Sequence, residues 1–274
     1  MLDDLAVPVP AARAAIVVVH AGGFSAACYG ALARVLGRPT VGVDLPGHGV
    51  ARQASPPGPV IPWSSYAAAL AQALARLEEP PILLGHSLGA TTAILALARE
   101  GERARALVAF EPILIDATNA LERERTDRLV AQALRRRDHF ADRDAAARRL
   151  GSKPPMSAFA PGVLRAYVET CLVDDPGGGV RLRLAPAEEA AMYRGGLEAR
   201  ATELLATLTV PTLILAGERS DTVTSRDLER WQALVPGLVT QVVEGVGHFG
   251  PFENPLRVAA AITTWLDARW PPAR

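Results

Sequence analysis

Cysteine is nearly absent from this sequence. Cys28 and Cys171 stand far apart, with no Cys-x-x-Cys pair and no histidine-rich spacing around them. That argues against a disulfide framework, a metal site or a redox motif, and two free thiols fit a reducing compartment. Net charge is missing too: 29 basic residues balance 29 acidic ones, so no field draws the chain to nucleic acid or an anionic membrane. No apolar run nears the roughly 18 residues of a membrane span, and the acidic start Met1-Leu2-Asp3-Asp4 lacks the basic flank of a signal peptide. Lysine is reduced to Lys153, which with abundant alanine reads as codon bias. These absences lead to the expectation of a cytoplasmic protein, monomer or homodimer, acting on a small molecule without nucleic acid, membrane, metal or cofactor.

Apolar material is plentiful, at 49% of 274 residues, enough for one large domain or for a core with a sizeable insertion. Ala15-Ile16-Val17-Val18-Val19 is a β-branched run too short for a helix, followed by the turn His20-Ala21-Gly22-Gly23 and a helical pattern to Leu36. Further strands are expected at 39–44, 81–84, 105–110, 211–216 and 240–243, with a helix over 66–77 and a Pro-rich loop over 50–62. Each strand is almost continuously apolar and separated from the next by helix. This predicts an α/β fold with a parallel sheet covered on both faces. The stretch from Ile113 to Ala206 has no convincing strand and many charges, and reads as a helical insertion splitting the core into 1–112 and 207–274. Within it, Arg135-Arg136-Arg137 reads as a solvated helix face, with recognition of an anionic group as the alternative. Gly177-Gly178-Gly179 reads as a loop, because no apolar strand precedes it and no Lys-Ser/Thr follows, as a phosphate cradle would require.

The third strand runs into Gly85-His86-Ser87-Leu88-Gly89, followed by the helical pattern Ala90-Thr91-Thr92-Ala93-Ile94-Leu95. Gly-x-Ser-x-Gly between strand and helix is the pattern of a nucleophile elbow, in which a sharp turn presents the serine hydroxyl. With 23 glycines in the chain the pentapeptide alone is weak, and the context decides. A serine hydroxyl needs a base to remove its proton and a carboxylate to hold that base in the right tautomer. In elbow enzymes the order is Ser, Asp or Glu, His, each on a loop after a later strand. Asp221 follows the fifth strand in Gly217-Glu218-Arg219-Ser220-Asp221, and His248 follows the sixth in Gly245-Val246-Gly247-His248-Phe249. Glu111, closing the fourth strand in Phe110-Glu111-Pro112, is the alternative acid. The amide of Leu88 is the expected first oxyanion donor, and Gly22 or Gly23 the second.

The ordered set of His20 to Gly23, Asp44-Leu45-Pro46-Gly47-His48-Gly49, Gly85 to Gly89, Gly217 to Asp221 and Gly247-His248-Phe249 resembles an α/β-hydrolase-fold enzyme from about residue 15 to the C-terminus. By that resemblance, 113–206 is the helical cap that such enzymes insert over the site. Ala21 stands where the family usually has glycine, which leaves Gly22 and Gly23 open as donors. The first strand begins too early for the antiparallel pair many members carry, so about six mostly parallel strands are expected. Short members such as plant methylesterases, hydroxynitrile lyases and type II thioesterases are similar here. Relatives that open alkyl halides or epoxides carry a carboxylate in place of Ser87, so a serine points to acyl chemistry.

The leading expectation is hydrolysis of a small, largely apolar carboxylic ester, lactone or thioester through an acyl-enzyme. Phe140, Met156, Phe159 and Tyr167 of the cap suggest the apolar pocket, or else the cap's own core. The alternatives are a C–C bond hydrolase or cofactor-free lyase using Ser87 and His248 for acid-base chemistry, and a non-catalytic ligand receptor of the same fold.

Overall fold

The computed structural model describes residues 16–51 and 58–270. The acidic N-terminus, Ala15 and the middle of the Pro-rich loop lie outside them. Among the described residues nine strands form: β1 (Ile16–Val19), β2 (Thr40–Val43), β3 (Ile82–His86), β4 (Ala106–Phe110), β5 (His139–Phe140), β6 (Leu172–Asp174), β7 (Val180–Leu182), β8 (Thr212–Gly217) and β9 (Val239–Val243). Six make one sheet in the order β2-β1-β3-β4-β8-β9, and all five pairings are parallel. The expected six-stranded α/β architecture is what the chain adopts, each strand beginning within a residue or so of its apolar run.

The runs are continuous because both faces of the sheet are buried. Ile16 and Val18 of β1, with Leu84 and Val108, enter the core on one face; Val17 and Val19, with Leu83 and Leu107, enter the core on the other. Alternate side chains of a strand point to opposite faces, so a strand sandwiched between helix layers must be apolar at every position. Helices Trp63–Leu74, Leu88–Glu100 and Ser225–Leu234 supply buried residues to the second core. Gly30–Val35 and Pro255–Asp267 supply them to the first. The helix expected over 66–77 starts earlier, because Trp63 is itself buried and donates its indole N–H to the Met192 carbonyl at 2.8 Å.

The insertion departs from expectation. Besides helices Ala120–Leu134, Arg143–Gly151, Val163–Thr170 and Pro186–Gly195, it contains an antiparallel sheet in the order β5-β7-β6. Strands of two or three residues are too short to carry a period of two, so pairing and packing form them rather than local pattern. Gly178 and Gly179, at φ 101° and 77°, make the turn between β6 and β7, so the triple glycine is a loop as expected. Phe140, Met156 and Tyr167 are buried in the same apolar cluster as the sheet face, which joins this segment to the core. Ser25 beside Cys28 and Thr170 beside Cys171 meet at 2.6 Å across that junction. No helix among the described residues is long and apolar enough to cross a membrane.

Candidate active site

β3 ends at His86, and the chain turns so sharply into helix Leu88–Glu100 that Ser87 adopts φ 54°, ψ −120°. A non-glycine residue held there costs about 1–3 kcal/mol, which its surroundings must offset. They do so at three points. The Ser87 amide donates to the Phe110 carbonyl at 2.9 Å. A Cβ on Gly85 would lie 2.4 Å from Ala90 Cα, and one on Gly89 would lie 2.1 Å from the Val19 carbonyl oxygen. The two glycines of the pentapeptide therefore let the helix start against the ends of β1 and β3, where any side chain would force it away.

His248, in the loop after β9, accepts from the Ser87 hydroxyl at Nε2 (3.2 Å) and donates from Nδ1 to Glu111 Oε2 (3.1 Å). The carboxylate partner is thus Glu111, and Asp221 does not occupy that position. Asp221 turns outward, its side chain 95% exposed, and its nearest cation is Arg125 at 3.7 Å. Glu111 is fully buried and held from several sides: Gly217 N–H donates to Oε1 at 2.7 Å and Ser220 Oγ–H to Oε2 at 2.7 Å. The loop after β8 contributes to the constellation through Ser220, one residue short of the expected acid. Glu111 also has a left-handed backbone, φ 52°. Two of the three non-glycine residues with positive φ among the described residues, Ser87 and Glu111, therefore fall in this constellation. Pro112 disfavours right-handed helical geometry at the residue before it, the one local sign in the sequence that Glu111 sits on a special turn.

The amide of Leu88 heads its helix and has no intrahelical partner, as for any first-turn N–H. The Leu88 side chain reaches within 3.6 Å of a Cβ position at Gly22 in the Gly22-Gly23 turn. Gly23, at φ 77°, needs the conformational freedom of glycine. This turn is fixed by a hydrogen-bonded chain that the sequence did not signal. Ala21 N–H donates to Tyr29 Oη (3.0 Å), Tyr29 O–H to His86 Nδ1 (2.7 Å), and His86 Nε2–H to the His248 carbonyl (2.8 Å). The chain ties the first turn to the histidine loop, and burial holds His86 neutral, its pKa well below the usual histidine range. His20 is likewise buried and neutral: desolvation lowers its pKa to about 4, and its Nε2 accepts from Leu45 N–H at 2.9 Å.

Of the four apolar residues singled out in the inserted segment, Phe140, Met156 and Phe159 pack in or against the cluster shared with the core. Tyr167 lines a small recess bordered by Gly23, Phe24 and His48. Arg136, expected on a solvated face, instead closes helix Ala120–Leu134 and turns inward, donating from Nη1 to both Glu189 oxygens (2.9 and 3.0 Å) and from Nη2 to Tyr167 Oη (2.8 Å). Among the described residues no group of three histidine, cysteine or acidic side chains is arranged to hold a metal ion.

A strained serine on a strand-to-helix turn, a histidine after the last strand and a buried carboxylate, all carried by a parallel sheet, define the α/β-hydrolase class. The sequence profile of the alpha/beta hydrolase family matches residues 16–261, and the chain belongs to that family. It is 31% identical over 229 residues to 2-(acetamidomethylene)succinate hydrolase of Mesorhizobium japonicum, covering 84% of this chain and 78% of the relative. A crystal structure of E-2-(acetamidomethylene)succinate hydrolase superposes with a TM-score of 0.76 at 30% identity, covering 92% and 91% of the two chains. The fold is also similar to an esterase from Mycobacterium tuberculosis, with a TM-score of 0.72, 21% identity and coverage of 93% and 84%. Its relatives are hydrolases.

Proposed function

We propose that the chain is a serine hydrolase that cleaves a small carboxylic ester, lactone or thioester through an acyl-enzyme on Ser87. The observation that carries this reading is the unbroken line from Ser87 Oγ to His248 Nε2 and from His248 Nδ1 to Glu111 Oε2. His248 takes the Ser87 proton as Oγ attacks the carbonyl carbon. Glu111 holds the imidazole with Nδ1 protonated and stabilises the imidazolium that forms. The tetrahedral oxyanion falls to Leu88 N–H and to an amide of the Gly22-Gly23 turn. His248 then protonates the leaving group, and water, deprotonated by the same histidine, releases the acid. Phe24, Leu182 and Leu184, which share a small recess with Gly23, put apolar side chains near the expected oxyanion turn, in keeping with a small, largely apolar substrate. The relative named for an acetamidomethylene succinate brings amides into the range to be tested.

The test is labelling of Ser87 by a fluorophosphonate, together with turnover of phenyl esters of increasing acyl length and of lactone, thioester and amide panels. Ser87→Ala is expected to abolish labelling and to lower turnover by about 10⁴-fold or more while the protein stays folded. Turnover without a burst of released phenol or thiol would favour the C–C hydrolase or lyase alternative. A wild-type protein that neither labels nor turns over any panel member would leave the receptor reading.

A further inference from the structure

Tyr29 is buried between three parts of the site that have to be placed relative to one another, and its hydroxyl is used on both sides. Oη accepts from Ala21 N–H, at the head of the Gly22-Gly23 turn, and donates to Nδ1 of His86, the residue before Ser87. His86 Nε2–H donates in turn to the carbonyl of His248. Every proton on this path has one place. The His248 carbonyl only accepts, so Nε2 carries the hydrogen of a neutral ring. Nδ1 is then an acceptor, the Tyr29 hydroxyl is its donor, and a lone pair of the same oxygen is left for the Ala21 amide. Burial supports this assignment: it keeps the His86 ring neutral and raises the Tyr29 pKa well above its ordinary value, which holds the proton on the oxygen.

Ala21 is held at its carbonyl as well, which accepts from Phe24 N–H (3.2 Å) and from His20 Nδ1–H (2.8 Å). The first of these bonds closes a turn over Ala21 to Phe24, and φ 77° at Gly23 is the third-position value of a type II turn. The Tyr29 bond therefore fixes how the turn that offers the second oxyanion donor is set against the end of β3. The other end of the path fixes the backbone of the residue that takes the serine proton. The Phe252 ring packs 4.8 Å from that of Tyr29 and 5.6 Å from that of His86, centroid to centroid. In such an apolar surround a hydrogen bond is strong when made and costly when lost.

We propose that Tyr29 is a positioning residue for the acyl transfer. Through its hydroxyl it holds the Gly22-Gly23 turn and, by way of His86, the His248 loop in the arrangement in which an oxyanion donor and the base meet the same substrate carbonyl. It acts through those groups and not on the substrate itself. This deepens the serine-hydrolase reading and rests on it. A displacement of about 1 Å among reacting groups costs on the order of 10²-fold in rate, and a loss of that kind falls on the transition state rather than on substrate binding.

Tyr29→Phe removes the hydroxyl alone, and fluorophosphonate labelling of Ser87 separates positioning from support of the fold. The rate constant of labelling reports how well the serine, the base and the oxyanion donors are aligned; its extent at long times reports how many chains are folded. The rate constant, and kcat on the best substrate of the ester, lactone, thioester and amide panels, are each expected to fall about 10-fold or more, with KM within about twofold and labelling still complete. A lower extent with an unchanged rate constant overturns the proposal, as does a rate constant within about twofold of wild type. Tyr66→Phe is the control, because Tyr66 is as deeply buried and its hydroxyl has no partner among the described residues. An equal loss there also overturns the proposal. His86→Leu cuts the same path further along and carries the test if Tyr29→Phe does not fold; it is expected to lower the rate constant by about 10-fold or more at full extent. The double variant is expected to lose well short of the product of the two single losses, and losses that simply multiply overturn the proposal. A wild type that neither labels nor turns over any panel member overturns the serine-hydrolase reading and the positioning role with it, whereas an active wild type with an unaffected Tyr29→Phe overturns the positioning role alone.

Discussion

The parallel core and the inserted segment are built by different means. In the core every strand is a short β-branched or apolar run closed by a turn, and each run pairs in register with neighbours of the same kind. The elbow glycines meet backbone atoms of adjacent elements. In the insertion the strands hold two or three residues, and the inward-facing polar groups of Arg136, Glu189 and Tyr167 are tied to one another. The core is specified redundantly by local pattern and long-range packing together. The insertion is specified by a few contacts between residues distant in sequence.

That contrast can be broken at its strongest point first. If the buried carboxylate of the core loops is Glu111 alone, Glu111→Gln should lower kcat by about 10³–10⁴-fold, because an amide cannot hold His248 in the same tautomer and charge state. Asp221→Asn should stay within about twofold, since that side chain is exposed and makes only a long contact to Arg125. Steady-state kinetics on any substrate found in the ester panels checks both, and equal losses would return Asp221 to the constellation.

A smaller effect is expected from packing. Gly89→Ala places a Cβ 2.1 Å from the Val19 carbonyl oxygen, which backbone cannot yield cheaply, and a loss on the order of 3 kcal/mol in urea unfolding is expected. The insertion has glycines with open space: a Cβ on Gly162 or Gly178 meets nothing within 4 Å. Tolerance of Gly89→Ala at wild-type stability would mean that the core is less constrained than its geometry implies.

The smallest effect is graded with pH. His20 and His48 are buried neutral, with pKa values lowered to about 4 and about 3, against an ordinary value near 6.5 in the unfolded chain. Between those limits the unfolded chain binds more protons than the folded one, so stability rises with pH there and is lost on acidification from about pH 6.5 downward. Each histidine adds a slope of at most about 1.4 kcal/mol per pH unit. Chemical denaturation at pH 7, 6 and 5 checks this, with His48→Gln expected to flatten the curve. An unchanged slope in that variant would show that His48 does not stay neutral in the fold.

How much of this was legible depended on the range of the interaction involved. The six core strands, Ser87 and His248 were readable because each is marked within about ten residues: an apolar run, a glycine pair, a turn. The choice between Glu111 and Asp221 was not readable, because both close a strand beside a loop with access to the histidine. The strained turn at Glu111 and the bonds from Gly217 and Ser220 separate them, and those exist only once β4 and β8 lie side by side. Tyr29 gave no signal at all, since its bonds to Ala21 and His86 join the segment after β1 to the end of β3.

By itself, then, the sequence determined the strand order in the chain, the serine turn and the slot of the histidine, because hydrophobic periodicity and glycine spacing are local properties. Tertiary structure decided which carboxylate meets His248, that the insertion forms a sheet, and that Arg136 turns inward to pair with Glu189. Those outcomes depend on the paths of loops and on which side chains are buried together, and burial strengthens electrostatic pairing by removing the water that would otherwise screen it.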